Sequence, residues 1–480
     1  MMDSVLFEET PIVKSVPLYD GVTCFSILIN FIVGTGVFGL PHAFRSSGIL
    51  LAILMSITFF ALCSVTAFWM LESLARTCGL NSLTSEGRPI TQITTVPSSV
   101  TKMGYTYFGP MGKRFVITVL SFFCVGALWM YSSIFSSTTT LLAWKYIFPA
   151  YGTCSANIGE WAWFDRCHVT YLGFLVIFSI LVLPMSFMEI AEQAFVQKFL
   201  TLYRFAAIFL MVFTSFISLL SRTPTRSDEE IIDPNTLFNI SGFGTAFSII
   251  SVSLACHHNI PEIVAPLRDK RQLKKIIFIT LLTATSVYTV LGLICSLCFG
   301  KKTVSPITSN WLEYTGCDGG FGICPDHKIR WYGYLIQFIV LMFPLVNLTS
   351  EYPLVSATLA SNISQLNSDN THPNKVSFSA KCLAAFPPLV LACIKADLSK
   401  IFGLTGIFGF VLILILPAMF QIFSKKTYRT QFGRHTSQTL FSGVYSSTRL
   451  AWCVLIVSIV LFAFSVVQNL DAIFDINWLN

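Results

Sequence analysis

Four polar side chains that could do chemistry interrupt an otherwise apolar stretch, SVSLACHHNIPEIVAPL (residues 251–267). They are His257, His258, Asn259 and Glu262. An ionisable group at the centre of a bilayer costs about 2.5–3.5 kcal/mol on insertion scales, so such groups tend to face a cavity or to mark function. Histidine titrates close to physiological pH and can carry a coupling proton. The alternative for at least one histidine is a satisfied, buried hydrogen bond.

A second apolar stretch, FSILINFIVGTGVFGLPHAF (residues 25–44), contains Gly34, Gly36 and Gly39, with Pro41 just beyond. In a helix interior glycine costs about 1 kcal/mol and proline about 3 kcal/mol relative to alanine. Non-helical backbone is tolerated at membrane depth only where it lines a cavity or is buried in protein. The glycines therefore indicate an unwound segment at a binding site, or else a tight packing face. Their GxGxxG spacing does not indicate a dinucleotide site, because no strand precedes it.

The composition indicates that membrane helices position these residues. Of the 480 residues, 54% are hydrophobic and 11% are charged, whereas soluble domains have about 25% charged residues. The net charge of +7 is spread over short loops rather than gathered on one face, so no nucleic-acid partner is expected.

Hydropathy predicts an all-α integral membrane protein with eleven spans, each of about 20 apolar residues. Spans 1 to 11 are residues 22–44, 49–74, 115–148, 171–187, 199–220, 241–264, 276–299, 332–359, 382–394, 401–423 and 450–470. Residues 21–470 form the predicted transmembrane domain, between a cytosolic N-terminal tail (1–20) and a non-cytosolic C-terminal tail (471–480). Basic loops at 268–275 and 425–435 fall on the cytosolic side in this topology. The polar segments 77–112 and 361–374 are predicted to be flexible loops.

Spans 1 and 6 each open a group of five spans and both are interrupted, a pattern typical of an inverted-repeat transporter. Exposed N–H groups at a broken helix can hold a substrate carboxylate, which we expect beside Gly34, Thr35 and Gly36. Freed carbonyls can coordinate a cation. We therefore expect no resident cofactor, but a co-transported Na⁺ or H⁺.

Other polar residues within the spans allow two interpretations each. In span 8, the Thr349 and Ser350 hydroxyls, next to Asn347 and Glu351, could be sodium ligands or could form an interhelical hydrogen-bonded seam. Span 3 carries a polar stripe that could line the pathway or pack against its neighbours, made of Trp129, Ser132, Ser133, Ser136 and Thr140. The glycines of span 10 are predicted to form a close-packing face.

Cysteine spacing predicts possible disulfides but no metal site. Two pairs lie in the predicted outer loops, Cys154 with Cys167 and Cys317 with Cys324, and an oxidising compartment would permit bonds within them. A CxxC at residues 295–298 lies inside span 7, where zinc would lack further ligands.

The motifs in spans 1, 6, 8 and 10 together resemble the amino acid/auxin permease superfamily, also called the amino acid transporter transmembrane family. The resemblance is carried by Asn30 followed by IVGTG, by LPHAF, CHHNIPEIVAPL and FPLVNLTSEYPLVSATL, and by FGLTGIFGFVLILILPAMF. Within that family the chain is similar to a branch of transmembrane proteins named only by number.

The resemblance implies eleven helices in a five-plus-five inverted repeat with broken helices 1 and 6. It implies amino acid transport coupled to sodium or protons. The implied substrate contacts are Gly34, Thr35, Gly36, Cys256, His257, His258 and Asn259, and the implied ion contacts are Asn30, Thr349 and Ser350. Glu351 is an acid where that branch implies a neutral side chain.

Secondary active transport is the leading functional hypothesis, because no P-loop is visible and an ion gradient supplies about 1.4 kcal/mol per tenfold ratio. The alternative is an amino acid sensor or scaffold on a transporter fold, with little or no flux. An intramembrane enzyme is not expected, because only His257, His258 and Glu262 could converge as catalytic groups. The predicted partners are an amino acid, a coupling ion and the lipid bilayer, of either a plasma or an endolysosomal or vacuolar membrane; protein partners stay open.

Overall fold

The structure, a computed structural model, describes most of the predicted transmembrane domain. The described residues are 18–81, 93–95, 99–155, 158–188, 194–221, 237–326, 328–366, 376–394, 396–433 and 437–474. Most of the predicted N-terminal tail, the acidic segment 228–233 and residues 475–480 of the predicted C-terminal tail lie outside them.

Hydrophobic runs in the sequence become helices throughout the described residues. The helices are α1 Gly21–Ile32, α2 Gly36–Ser47, α3 Ile49–Asn81, α4 Val100–Tyr146, α5 Arg166–Phe187, α6 Ala194–Leu220, α7 Phe243–Ser253, α8 Ile260–Val264, α9 Leu273–Phe299, α10 Trp331–Leu366, α11 Phe378–Ala392, α12 Leu398–Phe410, α13 Leu416–Phe432 and α14 Thr448–Phe474. A π-helical turn, Val411–Ile415, joins α12 to α13.

Among the described residues, eight helical segments are long and apolar enough to cross a bilayer, and the bent pair α1–α2 makes a ninth. The remaining predicted spans, 6 and 9, correspond to the shorter apolar segments Ile240–Ser253 and Phe378–Ala392. The predicted all-α membrane class is confirmed, while the exact number of spans stays a prediction.

Span 10 lies inside the bundle, and spans 4 and 11 lie at its edge. In the apolar window of Leu398–Phe432, 83% of residues are buried, compared with 28% in Arg166–Phe187 and in Thr448–Leu470. Helix α12 packs on α7, where a Cβ on Gly406 would lie 2.4 Å from the Ser248 carbonyl oxygen. This close approach agrees with the predicted packing role of the span 10 glycines.

Two segments that polarity predicted to be loops are partly helical. Helix α3 continues to Asn81, and α4 already begins at Val100, with Ser99 accepting a hydrogen bond from the Lys102 amide at its N-terminus. Val100 and Met103 are buried, so packing of a few apolar residues outweighs the local polarity. Helix α10 likewise continues to Leu366.

A buried polar group, called here the end cluster, joins α3 to α13 and to the segment before α14. It consists of Glu72, Arg76, Gln421, Ser424 and Ser446. Arg76 donates to Glu72 at 2.5 Å, to Gln421 Oε1 at 2.9 Å and to Ser424 Oγ at 3.0 Å. The Ser446 hydroxyl and Gln421 Nε2 also donate to Glu72. Because hydrogen bonds from several elements satisfy both charges, the cluster holds three helix ends together.

The opposite end of the bundle carries two disulfides, Cys154–Cys167 between α4 and α5 and Cys317–Cys324 between α9 and α10. Lys145, at the end of α4, donates to the Leu312 carbonyl, so both loops lie at one end. This placement matches the loops that the predicted topology puts outside.

Candidate functional site

Span 1 is broken at its glycines. Helix α1 ends at Ile32 and α2 begins at Gly36, with an angle of 55° between them. In a continuous helix the Gly34 amide would donate to the Asn30 carbonyl, but it donates to the Ile32 carbonyl at 2.8 Å instead. The break therefore leaves the Asn30 carbonyl without its helical donor. Thr35, in the middle of the break, is 5% exposed.

Span 6 is broken over six residues. Helix α7 ends at Ser253, and α8 begins at Ile260 with Pro261 in its first turn. Between them the Cys256 amide donates to the Leu254 carbonyl at 2.9 Å, and the Asn259 amide donates to the Cys256 carbonyl at 3.0 Å. Proline has no N–H to continue a helix across this point, although it is well tolerated where a helix starts.

The two breaks lie side by side. A Cβ added to Gly36 would lie 2.1 Å from Ser253 Oγ and 2.8 Å from Ser253 Cα. Only glycine permits this approach of two backbones. The structure thus brings together the two interrupted segments that the sequence places more than two hundred residues apart.

The two neighbouring histidines have different surroundings. His257 is fully buried, and its Nε2 lies 3.0 Å from both Thr66 Oγ1 and the Cys63 carbonyl of α3. His258 is partly exposed, and its ring meets the edge of Phe123 at 5.3 Å between centroids. His257 therefore has the satisfied, buried environment expected for one of the pair, whereas His258 is partly exposed and its Nδ1 is buried without a hydrogen-bond partner.

The remaining predicted substrate contacts also include both buried and partly exposed residues. Cys256 is buried with its sulfur 4.0 Å from His257 Nδ1, whereas Asn259 is partly exposed. A Cβ on Gly34 would be 3.5 Å from Glu351 Oε2, an ordinary contact distance. Gly34, His258 and Asn259 are thus partly exposed at the two breaks, whereas Gly36 and His257 are buried there.

An arginine from span 5 completes the site, and the sequence reasoning missed it. Arg204 is 2% exposed and lies between α1 and α10. Its guanidinium donates to Glu351 Oε1 at 2.6 Å, to Asn347 Oδ1 at 2.5 and 2.9 Å, and to the Asn30 carbonyl at 2.7 Å. These four residues are called here the central cluster. An arginine in the apolar run TLYRFAAIF was a signal in the sequence, because charge inside a span is costly.

The predicted ion contacts are only partly brought together. Asn30 contributes its backbone carbonyl to the central cluster. The Thr349 hydroxyl donates to the Leu345 carbonyl at 2.7 Å, and the Ser350 hydroxyl donates to the Asn347 carbonyl at 2.8 Å. Both hydroxyls thus hydrogen-bond within α10.

The polar stripe of span 3 contacts neighbouring helices at two positions. Ser132 interacts with Tyr352 of α10, and Ser133 interacts with Tyr171 of α5. Both serines are buried. The packing interpretation therefore fits these two residues.

Hydrogen bonds also tie the beginning of span 1 to the end of span 6. The Tyr19 amide donates to the Pro266 carbonyl at 3.2 Å, and the Arg268 amide donates to the Tyr19 carbonyl at 3.1 Å. The Tyr19 hydroxyl donates to the Ile263 carbonyl. In this conformation the two broken spans are closed against each other at that end.

Groups suited to holding a metal ion do not converge in the described residues. No group of three or more histidine, cysteine, aspartate or glutamate side chains is placed to hold a metal ion there. Cys295 and Cys298 are buried in α9. Glu262 is exposed on α8, whereas His257 bonds to α3.

Comparison with known families gives a match over nearly the whole chain. The family model described as "Transmembrane amino acid transporter protein" matches residues 22–470. Transmembrane protein 104 homolog of Drosophila melanogaster is 22% identical and is aligned over 94% of this chain and 98% of its own length. Transmembrane protein 104 of Homo sapiens is 21% identical, over 87% of this chain and 90% of its own. These relatives confirm the resemblance to a numbered branch.

Comparison with solved structures supports the fold. The crystal structure of MhsT in complex with L-phenylalanine matches with a TM-score of 0.57 and 11% identity, covering 95% of this chain and all of that chain. The shared fold is a five-plus-five inverted repeat, and the two breaks described above lie in spans 1 and 6 of this chain.

Proposed function

The chain belongs to the transmembrane amino acid transporter protein family, and from this premise we propose that it is a secondary active transporter that carries amino acids by alternating access. The gradient of a small cation drives the cycle. The observation that carries the proposal is the pair of adjoining breaks, because paired interrupted helices at the repeat interface are where such folds bind their substrates. We further propose that the protein is not an enzyme and that its N-terminus is cytosolic.

The substrate carboxylate binds at the start of α2. The first N–H groups of a helix have no partner within it, and the helix dipole favours an anion there. Gly36 and Val37 supply these N–H groups. Since the Gly34 amide donates to the Ile32 carbonyl, its role is to leave space rather than to donate.

The side chain of the substrate faces the break of span 6. His258 and Asn259 are both partly exposed there, and Phe123 borders His258. A mixed polar and aromatic surface of this kind suits a small zwitterion, with few precise polar contacts and an apolar wall.

Alternating access requires the closed end to open. The hydrogen bonds of Tyr19 to span 6 link both broken helices at that end. We propose that these bonds separate when the site opens to the cytosol, and that the central site then exchanges its substrate.

The proposal is tested by measuring binding and uptake separately. Purified protein is screened with radiolabelled amino acids by equilibrium binding, and in proteoliposomes for accumulation against protein-free liposomes. Saturable uptake with matching binding supports transport. Saturable binding without uptake favours the alternative of an amino acid sensor.

A further inference from the structure

Arg204 is a buried charge beside the break in span 1. A charged side chain deep in a membrane protein persists only with close partners, because desolvation is costly. Arg204 makes hydrogen bonds of 2.5–2.9 Å to three acceptor residues on α1 and α10. Every one of these acceptors is an oxygen.

One of the acceptors lies at the break in span 1. The Asn30 carbonyl loses its helical donor when the Gly34 amide turns to Ile32. Carbonyls freed at unwound helices are the groups that coordinate Na⁺ in inverted-repeat transporters. Here the carbonyl accepts from the guanidinium at 2.7 Å.

The other two acceptors complete a set that would suit a hard cation. Asn347 supplies an amide oxygen and Glu351 supplies a carboxylate oxygen. Carbonyl, amide and carboxylate oxygens are the ligands that hard cations prefer. In this protein a guanidinium occupies the space between them, and an arginine stays protonated in proteins.

We propose that Arg204 is a tethered cation that takes the place of a coupling sodium ion, so that the protein neither binds Na⁺ at this junction nor needs it. The charges of Arg204 and Glu351 cancel. A sodium ion bound beside them would give the buried site a net positive charge, which is unfavourable. What the tethered cation means for transport rests on the proposed function. If sodium is not needed, the proton gradient is the driving force for transport.

The direct test measures thermal unfolding in detergent with NaCl or choline chloride at equal ionic strength. Wild type is expected to show the same Tm in both salts. Arg204→Gln removes the tethered cation and leaves the oxygens of Asn30, Asn347 and Glu351, so Na⁺ should raise its Tm saturably, on the order of 2 °C or more.

Two matched variants separate a cation site from general destabilisation. Arg204→Lys keeps a cation in place and is expected to be insensitive to Na⁺. The double variant Arg204→Gln with Glu351→Gln removes the carboxylate, so the sodium-specific rise in Tm should disappear. A structural role alone would lower Tm in these variants without making it depend on the identity of the salt.

A saturable, sodium-specific rise in the Tm of wild type would overturn the inference, as would a folded Arg204→Gln variant that ignores Na⁺. If Arg204→Gln yields no folded protein, the wild-type and Arg204→Lys measurements decide, since a tethered cation requires that sodium stabilises neither of them and sodium-specific stabilisation of either contradicts it. The assay uses no substrate. Failure to find a transported amino acid would therefore weaken the proposed function and leave this test intact.

Discussion

Two buried arginine–glutamate pairs in the described residues share their chemistry but differ in how they are built. In the end cluster, Glu72 and Arg76 lie one turn apart on the same helix. In the central cluster, Arg204 and Glu351 come from α6 and α10 and are joined to a carbonyl of α1. The local pair fastens helix ends, whereas the long-range pair depends on the break in span 1. A buried charge pair can therefore be structural or functional, depending on which other groups it contacts.

Removing the arginine of the end cluster is expected to have the largest effect on stability. Arg76→Gln removes the ion-pair partner of the buried Glu72 carboxylate and the hydrogen bonds to Gln421 and Ser424, and should cost about 3 kcal/mol in apparent free energy of unfolding. Because Lys425 lies near that carboxylate and repels a second cation, Na⁺ should not restore the Tm. The exposed cation Lys426 provides the control, since Lys426→Gln should change stability by about 0.5 kcal/mol or less. If Na⁺ restored the Tm of Arg76→Gln, the two clusters would not differ in their response to sodium.

A smaller loss of stability is expected from a methyl group between the two breaks. Gly36→Ala places a Cβ 2.1 Å from Ser253 Oγ, and such overpacking costs about 1–3 kcal/mol. Because the clash separates spans 1 and 6, uptake should also be lost. Gly173→Ala on α5 is the control, since nothing lies within 4 Å of its Cβ. Both variants are compared by Tm and by uptake in proteoliposomes, and equal behaviour would contradict the contact.

At Gly34 the expected effect falls on binding rather than on folding. The first added carbon meets Glu351 at an ordinary distance of 3.5 Å, so Gly34→Val should insert and fold. Its branched side chain fills the space beside the start of α2 and should abolish binding of a labelled amino acid. Unchanged binding or uptake would remove span 1 from the site.

The smallest effects are expected at the histidines, and they should differ. His257→Ala loses contacts with Thr66 and the Cys63 carbonyl and should cost about 1 kcal/mol in stability. His258→Ala should be nearly neutral for stability. The pH dependence of uptake should change in at most one variant, and we expect His258→Ala to be that one. If neither changes it, protonation at this segment is not the coupling step.

Hydropathy and helix-breaking residues were enough to predict the membrane class and the two breaks. Runs of about 20 apolar residues indicate the length of a span directly. Gly34, Gly36 and Pro261 indicate local unwinding, because the free-energy cost of glycine or proline in a helix is intrinsic to the residue type. The polar start of α4 was missed because only tertiary packing of Val100 and Met103 makes it a helix.

The contacts within the site could not be predicted in the same way. Arg204 and Glu351 are separated by 147 residues, and no local pattern announces that they meet at the Asn30 carbonyl. The sequence also gives His257 and His258 identical chemistry. Only the positions of α3 and Phe123 separate the buried ring from the partly exposed one.

Amino acid uptake into proteoliposomes, with an inward proton gradient and choline in place of sodium, tests both transport and its independence of sodium. The predicted result is saturable accumulation of at least one amino acid, unchanged when sodium replaces choline and absent with Gly34→Val. Accumulation that requires sodium would contradict the tethered cation, and no saturable uptake of any amino acid by folded protein under either gradient would contradict transport.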